Sequence, residues 1–221
     1  MKRTLLLLTI MLCVCAIAFA QQKNQYVKLE TPQGWCVIKL YNETPVHRDN
    51  FIKLVKSHYF DATTFNRILK NFVIQGGDPD SLYEKGRTLK PEQKWIAPEF
   101  VDSLYHRRGV VAMGRDNNPI ESSFTTQIYI VDGKTYTDEE LDAIEKKYNV
   151  HLTDAQRQAY RTVGGIPRLD HHYTVFGDIV KGMDLIDKIT AVKVDKAGNP
   201  DTPVWMKITL LTPKQAEKIL K

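Results

Sequence analysis

The sequence predicts a mainly β fold, and three observations carry that reading. Residues 64–69 and 72–75 are short apolar, β-branched runs that meet at Lys70-Asn71 and stop at Gly76-Gly77-Asp78-Pro79, the pattern of a hairpin with a sharp exit. Residues 26–30 and 35–41 alternate apolar and polar side chains about Thr31-Pro32-Gln33-Gly34, a second hairpin. Residues 109–114 and 127–131 have the composition of buried strands.

Taken in order, the chain opens with Lys2 and Arg3, an apolar run over residues 5–19, and Ala18-Phe19-Ala20 ahead of Gln21-Gln22. A charged start, an apolar stretch and an A-x-A-like site form a cleaved secretory signal over residues 1–20. The remainder, 21–221, is then one exported domain, periplasmic or secreted. A membrane anchor fits less well, because the run is shorter than the ~20 residues a span needs, so stable membrane insertion is not expected. Lipid attachment fits less well again, since neither Cys13 nor Cys15 follows a small residue. Cleavage leaves Cys36 as the one thiol, and one thiol makes no internal disulfide, so the domain is held by its core. Loss of Lys2 and Arg3 lowers the formal net charge from +5 to +3, because residues 1–20 hold no acid. That mild balance argues against nucleic acid as a partner, which requires a clustered basic face.

A helix follows the first hairpin, with Thr44 at its N-cap, Pro45 at its first position and Phe51, Leu54 and Val55 as its buried stripe. Residues 79–95 are polar, with two prolines and Gly86 alone, and residues 96–100 read as structural. Residues 115–126 form a polar loop between the two buried strands. Two capping boxes then appear, Thr137 with Glu140 and Thr153 with Gln156, each opening an amphipathic helix. Leu141, Ile144 and Tyr148 mark one apolar side; Ala155, Ala159 and Tyr160 mark the other. With charged outer faces, the pair reads as a solvated helical hairpin packed on the flank of the β domain. His171 and His172 point to opposite faces of an extended chain, and no acid or cysteine sits at a matching spacing, so no metal site is expected. The chain closes with a helix over residues 181–190, apolar at Met183, Ile186 and Ile189, a strand over 205–211 and an exposed tail over 214–221.

Arg67 and Gln75 are the two residues for which the strand pattern gives no structural reason. Alternation puts Phe65, Arg67 and Leu69 on one face. A three-residue connection, Lys70 to Phe72, sets Gln75 opposite Arg67, whereas a two-residue turn sets Ile74 there. In the first register a five-donor guanidinium stands beside an amide oxygen, between aromatic rings.

Residues 65–78 resemble the signature of the cyclophilins, Phe-His-Arg-(Val/Ile), a short gap, then Phe-(Met/Val)-Ile-Gln-Gly-Gly-Asp. Phe65, Arg67, Ile68, Phe72, Val73, Ile74, Gln75, Gly76, Gly77 and Asp78 match, and Asn66 replaces the usual His. Gln127, Tyr129 and Ile130 are similar to the family's Gln-Phe-Phe-Ile strand, after a strand ending at Met113-Gly114. Residues 166–177 resemble its Leu-Asp-Gly-x-(His/Tyr)-Thr-Val-Phe-Gly segment through Leu169, Asp170 and Tyr173. The resemblance runs from about Val27 to Leu211 and implies an all-β (mainly β) fold: an eight-stranded antiparallel closed barrel capped by two helices, with a helical insertion over about 132–165.

It also implies an activity, peptidyl-prolyl cis–trans isomerisation of unfolded or partly folded proline-containing polypeptides, without cofactor or metal. Arg67 would then be the catalytic donor and Gln75 its orienting partner. Phe72, Val73, Tyr129 and Leu169 would grip the proline ring, with Gly114, Arg115, Gln127 and Tyr173 completing the substrate groove. Three features depart from the family: Asn66, the glycine-poor 79–95 segment, and Arg168 where many eukaryotic members carry the Trp that contacts cyclosporin. Arg168 bears on cyclosporin binding alone; Asn66, the glycine-poor segment and the insertion leave a second class open, a proline-peptide binding module or holdase with little turnover. The insertion itself has a second reading too, as a device that holds or selects clients.

Overall fold

The computed structural model describes residues 24–77 and 95–221. The expected signal, the Asp78-Pro79 exit and nearly all of the glycine-poor segment lie outside the described residues. β1 (Gln25–Thr31) and β2 (Gly34–Leu40) form the first hairpin, with Val27 opposite Ile38. After α1 (Pro45–Lys56) come β3 (Thr64–Ile68) and β4 (Val73–Gly76), the second hairpin. A small separate pair, β5 (Trp95–Ile96) and β7 (Ser123–Phe124), flanks β6 (Val110–Met113) in the chain. β8 (Ile128–Val131) leads into the insertion, with α2 (Asp138–Tyr148) and α3 (Asp154–Thr162). β9 (Val175–Lys181), α4 (Asp184–Thr190), β10 (Val204–Trp205), β11 (Lys207–Leu210) and α5 (Pro213–Leu220) complete the chain.

The main sheet runs β10-β3-β4-β8-β6-β9-β2-β1-β11, antiparallel throughout, so the fold is a nearly closed barrel with one seam. It has nine strands where eight were expected, and the difference lies at Met206. β10 and β11 stand at opposite ends of the order yet are separated by that residue alone, so one pass of chain pairs with β3 at its start and with β1 at its end. Inward positions, among them Ile38, Ile74, Val111, Met113, Ile128, Ile130 and Phe176, form the main core. α1 contributes Phe51 and Val55 to it, and α4 contributes Leu185, Ile186 and Ile189. Phe51 packs between Phe60 and Phe176 at ring separations of 5.2 and 5.1 Å. Cys36 is part of this core, and burial pushes its thiol up to about 12, which leaves it an inert apolar group.

Two elements differ from expectation. The last long helix starts at Asp184 and not Lys181, because Gly182 turns the chain at φ +81° with the Trp35 carbonyl oxygen 2.6 Å from where a Cβ would be. The expected tail is helix α5, opened by a capping box between Thr212 and Gln215 and seated through Ala216 against Val37 and Leu211. Among the described residues no helix is long and apolar enough to cross a membrane, and no group of three His, Cys, Asp or Glu residues could hold a metal ion. His172 faces Glu121 and His171 faces Asp102, so the two rings are turned to different partners.

α1 is capped from a distance. Thr44 makes no side-chain cap bond; instead Glu99, from the 96–100 segment, accepts the Val46 and His47 backbone N–H groups at 3.1 and 2.9 Å. The same carboxylate accepts from His47 Nδ1 at 2.7 Å, while Nε2 lies 3.0 Å from Ser123 Oγ. Burial holds the His47 ring below its ordinary 6.5, against the opposing pull of Glu99. The unfolded chain therefore takes up the proton first: stability is whole above pH 6.5 and is lost as pH falls through the lower folded value. Melting temperatures between about pH 7.5 and about 5 are expected to fall less steeply for His47→Gln than for wild type.

The insertion carries both expected capping boxes. Leu141, Leu152 and Tyr160 form its own small core, with Tyr105 and Tyr136 packed on it. Arg157 ties α3 to α2 through Asp138, Asp142 and Glu145. Its two ends meet at a glycine neck, where a Cβ on Gly133 would lie 2.4 Å from Gly165 Cα.

Candidate active site

The candidate site lies on the outer face of the barrel, and a bulge puts it there. Phe65 pairs with Gly76 but Arg67 pairs with Gln75, so Asn66 is an extra residue in β3. The three-residue connection is the one adopted. Phe65 and Ile68 both point into the core although three residues apart, and Arg67 points out. Phe65 and Arg67 therefore do not share a face, contrary to simple alternation. The bulge reverses the phase of the strand once, and that delivers the Arg67 guanidinium to the outer surface.

Register then extends the site sideways. Arg67 lies opposite Gln75, Gln75 opposite Tyr129, Tyr129 opposite Ala112 and Ala112 opposite Val175, one row across five strands. Arg67 Nη1 donates to Gln75 Oε1 at 3.1 Å. Phe72 sits at the hairpin end, its carbonyl accepting both the Asp132 and Gly133 N–H groups at 3.0 Å. The connection is held further by Asn71, at φ 62°, whose N–H donates to the Asp132 carboxylate at 2.7 Å.

Arg67, Phe72, Val73, Gln75 and Tyr129 line a cavity of about 210 Å³ together with Gly114, Arg115, Gln127, Leu169 and Tyr173. All ten residues singled out in the sequence thus meet at one pocket. Its apolar wall belongs to a second core, in which Val73, Val110, Ala112, Val131, Ile166 and Val175 pack under Tyr129 and Leu169. The Tyr129 ring is met edge-on by Tyr173 at 6.0 Å and 81°. Gly114 admits Gln127: a Cβ there would lie 2.1 Å from Gln127 Oε1. Arg115 is committed elsewhere, with Nε donating to the His172 carbonyl at 2.7 Å, Nη2 to Glu121 at 3.0 Å, and its guanidinium 4.6 Å from the Tyr173 ring centre.

Sequence reasoning left Arg168 out of the site, yet it lines the pocket and lies 4.8 Å from the Phe72 ring centre, with Arg67 at 5.8 Å from the same ring. Its position beside Leu169 was the available signal. Asn66, by contrast, is on the bulge and is not among the lining residues, so that departure from the family pattern falls outside the pocket.

By its fold, the chain is similar to solved cyclophilin-type barrels. A Cryptosporidium parvum cyclophilin-type peptidyl-prolyl cis-trans isomerase superposes with a TM-score of 0.64 at 22% identity, covering 86% of this chain and 99% of that one. The same protein crystallised in the presence of the dipeptide Ala-Pro gives 0.63. By sequence the match is closer in kind: the family model for cyclophilin type peptidyl-prolyl cis-trans isomerase/CLD covers residues 26–210. A peptidyl-prolyl cis-trans isomerase of Acinetobacter baylyi is 32% identical over 176 residues, 79% of this chain and 77% of that protein. A putative one of Staphylococcus aureus is 29% identical over 182 residues, 81% and 88%. The chain belongs to the cyclophilin-type peptidyl-prolyl cis–trans isomerase family and is an enzyme of that class.

Proposed function

We propose that this isomerase accelerates rotation about X-Pro bonds in exported polypeptides as they fold, with Arg67 as the catalytic donor. One observation carries the reading: a guanidinium oriented by Gln75 at 3.1 Å stands at the rim of an aromatic pocket large enough for a proline ring. The chemistry breaks no bond. Amide resonance opposes rotation by ~18–20 kcal/mol, and uncatalysed X-Pro bonds relax in roughly tens to hundreds of seconds. Twisting makes the prolyl nitrogen pyramidal and gives it a lone pair that the planar amide lacks. A donation from Arg67 to that lone pair exists in the transition state and not in the ground state, which is the kind of interaction that raises rate. Phe72, Val73, Tyr129 and Leu169 hold the ring, and main-chain N–H groups near Arg115 take the swinging carbonyl. Export is supported by the Lys2-Arg3 start, the apolar run and Ala18-Phe19-Ala20.

Two measurements test the proposal. The cellular protein should start at Gln21 by mass spectrometry and fractionate outside the cytoplasm; intact Met1 on the cellular protein overturns the export. The mature chain should shorten the cis-to-trans relaxation of an Ala-Pro tetrapeptide well below its uncatalysed time. A protein that leaves this relaxation unchanged yet prevents aggregation of an unfolded client is a holdase.

Gly114→Ala tests the pocket wall separately. The nearest atoms to the new methyl are Gln127 Oε1, Cδ and Cγ at 2.1, 2.8 and 2.9 Å, all of one flexible side chain, so the melting temperature should move by less than about 3 °C. Displaced into the groove, Gln127 is expected to lower kcat/KM by roughly tenfold, within the ~10²-fold that a 1 Å misplacement costs. Unchanged kinetics would remove Gln127 from the substrate path.

A further inference from the structure

A chain of buried polar side chains runs from the inserted helical hairpin to the pocket. Tyr160, on α3, donates its hydroxyl to Asp170 Oδ2 at 2.6 Å. Asp170 Oδ1 accepts from the His106 backbone N–H at 2.8 Å and lies 2.9 Å from His106 Nδ1. His106 Nε2 lies 2.9 Å from the hydroxyl of Tyr129. Tyr160 and His106 are 0% exposed, Asp170 2% and Tyr129 4%, so these groups are withdrawn from bulk solvent.

The donors and acceptors give this chain a direction. Asp170 Oδ1 already accepts the His106 backbone N–H, so it is the acceptor at Nδ1 as well, and a ring singly protonated there presents a lone pair at Nε2. Tyr129 must then donate to His106. Burial raises both phenols well above their ordinary range, with Asp170 adding to the effect, so both keep the protons they donate. The Tyr129 ring is held at both ends: its hydroxyl in this chain, its edge by Tyr173, which also meets His106 at 6.4 Å and 85°.

The insertion departs three residues after Tyr129 and returns through the Gly133/Gly165 neck five residues before Asp170. We propose that the insertion is a positioning element of the proline pocket: Tyr160 holds Asp170, Asp170 holds His106, and His106 fixes the Tyr129 ring on which the proline sits. The proposal rests on the pocket assignment made above. It gives Tyr160, Asp170 and His106 positioning roles, and it replaces the view of the hairpin as a passive cover on the barrel flank.

A pocket floor grips the proline ring in ground and transition states alike, so loosening it raises KM and leaves kcat nearly unchanged. Tyr160→Phe should therefore raise KM for an Ala-Pro tetrapeptide by about two- to tenfold, the loss of one hydrogen bond. In a Tyr129→Phe background the same change should do nothing further, because the hydroxyl that the chain holds is gone. An equal rise in both backgrounds, or no rise in the first, overturns the proposal. A second measurement needs no variant: the ring ¹⁵N shifts of His106 in the wild-type protein should report the Nδ1–H tautomer, and the Nε2–H tautomer overturns it. Should wild type show no turnover, the isomerase assignment fails by itself, and the two backgrounds compared by tetrapeptide Kd still decide the positioning claim.

Discussion

Arg67→Ala is expected to lower kcat/KM for an X-Pro peptide by roughly ten- to over a hundredfold, the equivalent of the about 1.5–3 kcal/mol that a charge-assisted hydrogen bond contributes. The fall should appear in kcat, because the lone pair that Arg67 meets exists only when the amide is twisted. KM should change less, since the Phe72, Tyr129 and Leu169 walls remain. Arg67→Lys should recover only part of the loss: an ammonium keeps the charge but not the planar fork, which bonds Gln75 with one nitrogen and leaves others for substrate. The measurement is a stopped-flow cis-to-trans assay with wild type and both variants. Turnover by Arg67→Ala equal to that of wild type would leave the enzyme class intact and remove Arg67 as its catalytic donor.

This split between kcat and KM separates two kinds of residue at one pocket. Arg67 acts on charge that develops during rotation. Tyr129, and the side chains that hold it, act on a ring whose shape does not change. The same division explains why the three guanidiniums at the rim are not equivalent. Arg115 is tied to Glu121 and a backbone carbonyl, Arg168 lies over Phe72, and Arg67 is oriented by the neutral amide of Gln75.

What the sequence revealed, and what it did not, follows from the range of each interaction. The ten pocket residues were legible because the 65–78 stretch keeps fixed spacing and its partners sit on recognisable strands. The bulge at Asn66 was not, because one extra residue in a strand leaves no trace in composition; Phe65 and Arg67 look alike in phase until Gly76 and Gln75 are seen to pair with them. The helix α5 was misread although Thr212, Pro213 and Gln215 formed a start signal of the kind that was read correctly at Thr137 and Thr153. Glu99 capping α1 and the Tyr160–Asp170–His106–Tyr129 chain join residues that only the folded barrel brings together. No local pattern encodes them.

Gly76→Ala is expected to be among the most destabilising single changes in the barrel. A Cβ at Gly76 would lie 2.1 Å from the Thr64 carbonyl oxygen and 2.7 Å from Phe65 Cα, both backbone atoms that no rotamer change can move aside. The closeness arises at the bulge, where β3 crowds β4 one pair before Arg67 meets Gln75. The methyl must therefore push the strands apart. That costs the about 1–3 kcal/mol of overpacking, or more where the backbone itself yields. In a domain of this size each kcal/mol lowers the melting temperature by roughly 2–4 °C, so a drop of about 2–12 °C is the expected result. Isomerisation at a temperature where the variant is still folded should fall as well, because separating the strands stretches the Arg67–Gln75 bond that sets the guanidinium. Gly114→Ala, whose methyl meets a side chain, is the control that should lose activity without the drop in stability. A Gly76→Ala protein as stable as wild type would mean that the bulged hairpin relaxes freely, and the rigid placement of Arg67 would need another cause.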